Sequence, residues 1–375
     1  MTTDFATRVQ PLGEFSADTV ASLLASAGAT VAVKHGVRAA SVGYATHDVP
    51  GRRCRASGLI AAPLDAGGDR DVVVWLHGTS VNRNHVPSHS ADLTSKLLAA
   101  LFASAGFVFV APDYLGLGIE GEGPHPYLHA GSEVSASRDM LLATRDIARD
   151  ALGVRATRRL FLTGFSQGAH AALALQRDLE AAAAPEFDVV ACAPVSGPYN
   201  LSAVTVPIVY RRPGVNTCGY LGYLLTAYRG LYGIYDVPGE VFVPPYDRVA
   251  PPLFDGLHTP DEVTQALPFE PDALIRRDWW ESATGDPAHP FAAALRENDV
   301  DDFSPRAPTR LYVGSADEDA PPENATEAAR AFRDRGASSV EIIELGPLDH
   351  EATAYAAFPQ IRTWFEELSA AAAET

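Results

Sequence analysis

Short apolar runs alternate with longer helical patterns along most of this chain. The runs at 71–76 and 106–112 are almost wholly apolar, which is typical of strands that are buried on both faces of a sheet. Strands are predicted at 56–62, 71–76, 106–112, 159–163, 188–193, 309–313 and 339–344, and helices near 92–104, 132–152, 167–181, 323–335 and 352–370. This order predicts an α/β fold with a mostly parallel central sheet flanked by helices.

The alternation is interrupted between about 197 and 304. Pro, Gly and aromatic residues are frequent here, and eight of the 13 tyrosines lie between Tyr199 and Tyr246. We therefore expect an inserted helical cap at 197–304 over a core made of 1–196 and 305–375. Tyr220 and Tyr223 belong to a nearly helical repeat of aromatic residues. Each of them could simply pack the cap onto the core, whereas as a group they could line an apolar substrate pocket.

One pentapeptide lies where a predicted strand meets a predicted helix. Gly164-Phe-Ser-Gln-Gly168 follows the strand at 159–163 and opens the helix at 167–181. A nucleophile on such a tight turn needs small residues two positions to either side, because the turn presses these positions together. The pentapeptide alone would arise by chance in roughly one in ten chains of this size. The strand and helix around it therefore carry the prediction that Ser166 is a nucleophile.

A serine hydroxyl needs a histidine to take its proton, and the histidine needs a carboxylate to orient it. On this kind of scaffold the acid and then the histidine follow the serine, each after a strand. Three acidic residues follow the strand at 309–313, and His350 follows the strand at 339–344. Asp317 is the preferred acid because it is nearest to the end of its strand, and Asp319 is the alternative.

Acyl transfer also needs two N–H donors for the oxyanion of its transition state. The backbone of Gln167 is expected to supply one donor, and the loop after the strand at 71–76 the other. Thr79 is the preferred donor in that loop, and His77 is expected to shape it. Tyr114 follows the strand at 106–112, where it either contacts the substrate or anchors its own loop.

Two histidine pairs have the four-residue spacing that is found in some metal sites. They are His85 with His89 and His125 with His129. Nearby prolines disfavour regular helices at both places, and no glutamate lies between the histidines as it does in a helical zinc site. We expect no metal, and acyl transfer through a serine needs no cofactor.

The chain resembles the α/β-hydrolase superfamily over nearly its whole length, and more narrowly the bacterial and fungal secretory lipase family. The narrower resemblance rests on Leu76-His-Gly-Thr79, Pro112-Asp-Tyr-Leu-Gly-Leu-Gly118, Gly123-Pro-His-Pro-Tyr-Leu128 and Gly164-Phe-Ser-Gln-Gly-Ala-His170. It implies hydrolysis of carboxylic esters, including acylglycerols, beneath a cap, with Ser166, Asp317 and His350 as the catalytic triad. Because a fold does not fix a function, an acyltransferase, a peptidase, a natural-product tailoring hydrolase and an inactive ligand-binding homologue remain alternatives.

Charge and cysteine content narrow the expected partners and location. A formal net charge of -18 disfavours nucleic-acid binding, so the expected partner is a small-molecule ester. No apolar run approaches the roughly 18 residues of a membrane span, and we expect no stable membrane insertion. Three cysteines without a Cys-x-x-Cys motif, and an N-terminus without the pattern of a signal peptide, indicate a cytoplasmic protein. Secretion stays possible if a leader was removed, and nothing in the sequence indicates the oligomeric state.

Overall fold

A computed structural model describes residues 5–181 and 186–373 of the chain. The strands of this part form a nine-stranded sheet. They are β1 (Arg8–Phe15), β2 (Val37–His47), β3 (Arg53–Pro63), β4 (Asp69–Leu76), β5 (Val108–Pro112), β6 (Arg155–Phe165), β7 (Asp188–Val195), β8 (Thr309–Val313) and β9 (Val340–Glu344).

Helices flank the sheet and also fill the interval between β7 and β8. They are α1 (Ala17–Ser26), α2 (Leu93–Ala103), α3 (Ala130–Leu152), α4 (Gln167–Ala181), α5 (Val206–Arg211), α6 (Thr217–Tyr232), α7 (Tyr246–Val249), α8 (Pro260–Ala266), α9 (Pro271–Leu274), α10 (Arg277–Gly285), α11 (Pro290–Glu297), α12 (Glu323–Asp334) and α13 (His350–Ala373). A π-helical turn at Leu201–Thr205 precedes α5, and short 3-10 turns lie at Pro238–Glu240 and Pro251–Phe254.

The sheet has an antiparallel edge and a parallel body. Its strand order is β1-β2-β3-β5-β4-β6-β7-β8-β9. The pairs β1–β2, β2–β3 and β3–β5 are antiparallel, and all pairs from β5 across to β9 are parallel. The predicted, mostly parallel sheet is thereby confirmed. Since strands β4 to β9 run in one direction, their carboxyl ends meet at one edge, where sites of such sheets form.

Side chains of the central strands alternate between two apolar layers. Val72 and Val74 of β4 pack into the layer beneath α3 and α4, whereas Val73 and Trp75 pack into the layer beneath α2 and α13. This alternation follows from the two-residue period of a strand. Because both faces are covered by helices, β4 reads as one continuous apolar run in the sequence.

The helices between β7 and β8 build an apolar cluster of their own. Leu221, Leu225 and Tyr228 of α6 pack there with Leu274 and Phe291. We call residues 201–297 the helical segment. The predicted boundary of a cap domain at 197 and 304 stays a prediction.

The chain enters and leaves the helical segment at one place. The backbone N–H of Val300 donates to the carbonyl oxygen of Tyr199 over 2.8 Å. The carboxylate of Asp299 accepts hydrogen bonds from both the backbone N–H and the hydroxyl of Ser202. These bonds fix the two ends of the segment against each other.

Candidate active site

Ser166 lies on a strained turn between β6 and α4. Its φ is +56°, in a region that non-glycine residues rarely adopt and that costs about 1–3 kcal/mol. A Cβ on Gly164 would lie 2.0 Å from the carbonyl oxygen of Gly168, and one on Gly168 would lie 1.8 Å from that of Leu76. No side chain fits at either position. The two glycines therefore permit the turn, which holds Ser166 beyond the end of β6.

His350 and Asp317 form a buried pair at the same edge of the sheet. Nδ1 of His350 lies 2.8 Å from Oδ2 and 3.0 Å from Oδ1 of Asp317, and both side chains are buried. Oδ1 of Asp317 also accepts the backbone N–H groups of Asp319 and Ala320, at 3.0 and 2.8 Å. These two bonds fix the plane of the carboxylate that faces the histidine.

The second nitrogen of His350 is available for proton transfer. With Nδ1 donating to Asp317, Nε2 is buried and has no hydrogen-bond partner among the described residues. The ring of Phe165 packs against the imidazole with a centroid distance of 4.5 Å, which places His350 beside the Ser166 turn. Burial lowers the pKa of His350, but the hydrogen bond and charge of Asp317 outweigh it, so the pKa lies above its usual value of 6.5.

Asp319, the alternative acid, faces other partners. Its Oδ2 accepts hydrogen bonds from Nδ2 of Asn216 at 3.0 Å and from the hydroxyl of Tyr220 at 3.3 Å. Between the two candidate acids, only Asp317 is hydrogen-bonded to His350 in the described part of the chain.

The loop after β4 packs directly against the Ser166 turn. A Cβ on Gly78 would lie 3.3 Å from the carbonyl oxygen of Phe165 and 3.6 Å from Cβ of Ser166. Thr79 follows Gly78, and its hydroxyl is hydrogen-bonded to that of Tyr127 at 2.9 Å. The loop thus brings the backbone of Thr79 close to the start of α4, where the N–H of Gln167 is located.

His77 and Tyr114 hold this loop in place. The ring nitrogens of His77 lie 2.7 Å from the carbonyl oxygen of Gly78 and 3.0 Å from that of Asp113. The hydroxyl of Tyr114 donates to the carbonyl oxygen of His77 over 3.2 Å, and the Tyr114 side chain is fully buried. In this structure Tyr114 anchors the loop and does not line the cavity at Ser166.

A small cavity lies over Ser166. Its volume is about 40 Å³. The helical segment supplies most of its walls, through Leu201, Val206, Val209, Tyr220, Leu221 and Leu224. Asp319 is also part of the wall. Tyr223 is not, because its ring stacks on Tyr127 at 4.4 Å and its hydroxyl donates to the carbonyl oxygen of Ser80 over 3.2 Å.

A buried polar network that the sequence did not predict lies behind the Ser166 turn. Nε2 of Gln167 donates to Oε1 of Glu133 over 3.0 Å. His170 donates from Nδ1 to Oε2 of Glu133 and from Nε2 to the carbonyl oxygen of Asn298, each over 2.7 Å. Burial lowers the pKa of His170, but Glu133 and the Asn298 carbonyl more than offset it and raise this pKa above 6.5. Both ring nitrogens of His170 face oxygen acceptors, which favours the protonated imidazolium.

His125 completes the network as a neutral acceptor. Burial lowers the pKa of His125 to about 4. Its Nδ1 lies 2.9 Å from the carbonyl oxygen of Leu115, to which only an N–H can bond, and this leaves Nε2 to accept from Nε2 of Gln167 at 2.9 Å. Both amide protons of the Gln167 side chain are thus used, and the side chain cannot rotate freely. The sequence signal for this network was that Glu133, His125 and His170 lie among mostly apolar residues.

Members of both histidine pairs have local structural roles. His129 accepts the backbone N–H of Ser132 at Nδ1 and so caps the start of α3, and His89 accepts the N–H of Ala91 in the same way. Among the described residues, no cluster of three or more histidine, cysteine or acidic side chains could hold a metal ion. None of the described helices is both long and apolar enough to cross a membrane.

Known proteins share this architecture. A putative hydrolase from Legionella pneumophila is 30% identical with a TM-score of 0.89, and the match covers 96% of this chain and 97% of that chain. A ligand-bound form of the rice cell wall degrading esterase LipA from Xanthomonas oryzae is 31% identical with a TM-score of 0.86, covering 95% and 96%. Candida antarctica lipase A in its closed state is 13% identical with a TM-score of 0.66, covering 92% and 76%, and shares the fold alone.

Among curated proteins none matches this chain in sequence. A family model described as "Alpha/beta hydrolase family" matches residues 73–360, which include the Ser166 turn, Asp317 and His350. By this match and by the sheet that carries these residues, the chain belongs to the alpha/beta hydrolase family.

Proposed function

We propose that this hydrolase cleaves carboxylic esters through an acyl-enzyme on Ser166, with His350 as the base and Asp317 as its partner. The observation that carries the proposal is the state of His350. Its Nδ1 is held by a buried carboxylate, and its Nε2, beside a serine on a strained turn, has no hydrogen-bond partner in the part of the chain that the structure describes. A base that activates a serine hydroxyl needs this arrangement.

In the first half of the reaction, Nε2 of His350 takes the proton of Ser166 while the oxygen attacks the ester carbonyl carbon. The backbone N–H groups of Gln167 and Thr79 stabilise the oxyanion that forms. The C–O bond to the alcohol then breaks, and the imidazolium returns its proton to the departing oxygen. The products of this half are the free alcohol and an acyl group on Ser166.

In the second half, water replaces the alcohol. His350 takes a proton from water as the hydroxide attacks the acyl carbon, and it returns the proton to Ser166 when the carboxylic acid leaves. Asp317 orients the imidazole throughout. Its Oδ1 accepts two backbone N–H groups in addition to the imidazole, and these bonds hold the carboxylate in position.

Esters are proposed as substrates because a similar protein is an esterase and because the cavity at Ser166 has mostly apolar walls. LipA from Xanthomonas oryzae is an esterase by name, and the match covers 95% of this chain. The cavity at Ser166 has mostly apolar walls, which suits the hydrocarbon part of an acyl group. We also propose that the helical segment acts as the cap of the enzyme, since it supplies most of those walls.

The test is hydrolysis of 4-nitrophenyl butyrate together with labelling by a fluorophosphonate, which reacts with activated serines. We expect Ser166→Ala to lose at least about 10⁴-fold in kcat/KM and all labelling, because the nucleophile is gone. Ser22→Ala, on the exposed surface of α1, is the control and should behave as wild type. Equal rates for wild type and Ser166→Ala would refute the proposal. Ester formation with added alcohols in place of hydrolysis would instead identify an acyltransferase.

A further inference from the structure

The cavity over Ser166 limits what can be bonded to that serine. The alcohol leaves after the first half of the proposed reaction, but the acyl group must remain beside Ser166 until water attacks. The space next to the serine therefore bears on the acyl group. This space is small, about 40 Å³, so it limits the length of the acyl group that can lie there.

Tightly packed side chains form part of the cavity wall. Leu221 and Leu224 of α6 and Val206 of α5 are each at most 3% exposed, and all three also belong to the apolar cluster of the helical segment. Interiors are packed as densely as organic crystals, so these side chains have little free volume into which they could move. A longer acyl chain would have to displace part of that cluster.

The wall also carries a negative charge. Asp319 lies on the cavity, and both of its hydrogen bonds from Asn216 and Tyr220 go to Oδ2. Among the described residues, no lysine or arginine lines the cavity to offset it. A second carboxylate on the acyl group would be brought next to this charge in a site of low dielectric constant, where repulsion is strong.

We infer that the acyl site accepts a short, uncharged acyl group. This inference rests on the proposed function, because it assumes that the acyl group is attached to Ser166. It goes further by assigning the size limit to α5 and α6 and the charge limit to Asp319.

The size limit is tested with 4-nitrophenyl acetate, butyrate, hexanoate and octanoate, which share one leaving group. The highest kcat/KM should fall at acetate or butyrate, with octanoate at least about tenfold lower, since a methylene that fits or fails to fit a pocket changes rates by about that factor or more. Leu224→Ala should raise the octanoate-to-butyrate ratio at least about tenfold, and Leu224→Val should raise it less.

Leu274→Ala is the matched control. Leu274 is a fully buried leucine of the same apolar cluster but does not line the cavity. This variant should leave the octanoate-to-butyrate ratio unchanged even where it lowers stability. A ratio that rises equally in Leu224→Ala and Leu274→Ala would overturn the assignment of the size limit to the cavity wall.

The charge limit is tested with the 4-nitrophenyl monoester of succinic acid, whose four-carbon acyl group ends in a carboxylate. We expect kcat/KM at least about tenfold below that of butyrate, and Asp319→Asn should narrow this gap. An optimum at octanoate, or equal rates for succinate and butyrate, would overturn the inference while Ser166-dependent hydrolysis still stands. Absence of hydrolysis for every ester would instead overturn the proposed function.

Discussion

Replacing Asp317 with asparagine should invert the hydrogen bonding of His350. In the structure, Oδ1 of Asp317 is fixed by the backbone N–H groups of Asp319 and Ala320, and Oδ2 faces Nδ1 of His350 at 2.8 Å. An asparagine must keep its oxygen at the Oδ1 position to accept those two N–H groups. Its NH₂ group would then face Nδ1, which would have to become an acceptor.

The proton of neutral His350 would consequently move to Nε2, the atom that has to take the proton of Ser166. With its proton already on Nε2, neutral His350 cannot accept the proton of Ser166 at that atom. The same substitution in a chymotrypsin-like triad lowers kcat by about 10⁴-fold. We expect a loss of about that size here, equivalent to about 5 kcal/mol of transition-state stabilisation. Because asparagine has nearly the shape of aspartate, the fold should persist.

The assay is kcat/KM for 4-nitrophenyl butyrate at pH 8, with circular dichroism to show that the variant is folded. Asp319→Asn is the matched comparison, since it changes the other candidate acid of the same loop. We expect this second variant to lose less than about tenfold. A small loss for Asp317→Asn combined with a loss of about a thousandfold or more for Asp319→Asn would refute the assignment and make Asp319 the acid.

Three further predictions concern pH and packing. Since the pKa of His350 is raised and the base must be neutral, the acid limb of kcat/KM against pH should have its midpoint above pH 6.5, in a pH titration of the initial rate. Glu133→Gln should destabilise the fold by about 3–5 kcal/mol in urea unfolding at pH 6, because it leaves the buried imidazolium of His170 without its partner. Because the pKa of His170 is raised in the folded state, its contribution to the free energy of unfolding is complete below pH 6.5 and is lost as the pH rises through the folded-state pKa. The difference in stability between wild type and Glu133→Gln should therefore shrink at pH 9. Gly168→Ala should abolish both soluble expression and activity, because its Cβ would lie 1.8 Å from a backbone carbonyl oxygen. By contrast, Gly230→Ala should raise stability by about 0.5–1 kcal/mol in the same urea assay, because Gly230 is an exposed position of α6 where a Cβ meets nothing within 4 Å.

Each of these predictions has a result that would contradict it. An acid limb with its midpoint below pH 6 would mean that Asp317 does not control the titration of His350. A Glu133→Gln variant as stable as wild type at pH 6 would show that His170 is not held as an imidazolium. Normal activity in Gly168→Ala would mean that the Ser166 turn has more room than the structure gives it.

The sequence predicted the parallel body of the sheet better than its edge. Strands such as β4 and β6 are apolar over several consecutive residues because both of their faces are buried, and this makes them stand out. The strand β1 is mostly exposed, and β2 is rich in alanine, so neither has a strong pattern. Their pairing depends on partners far along the chain, which a local reading cannot detect.

Some residues of the candidate site could likewise be selected from the sequence, and others could not. Ser166 and His350 could be selected from the sequence because each follows a strand of the parallel body. The choice between Asp317 and Asp319 depended on which carboxylate faces the histidine, and position along the loop only favoured the first. Glu133 and His170 were missed because they come from different helices, and their pairing follows from packing rather than spacing.

The hydrogen bond between Tyr199 and Val300 has a consequence for how such proteins can diversify. Because the chain leaves and re-enters the sheet at points joined by one 2.8 Å bond, about a hundred residues behave geometrically as a single surface loop between β7 and β8. Such a loop can be lengthened, shortened or exchanged without shifting the register of any strand. Descendants of this scaffold can therefore acquire new substrates by replacing the helical segment as one unit, while the sheet edge that carries Ser166, Asp317 and His350 is inherited unaltered.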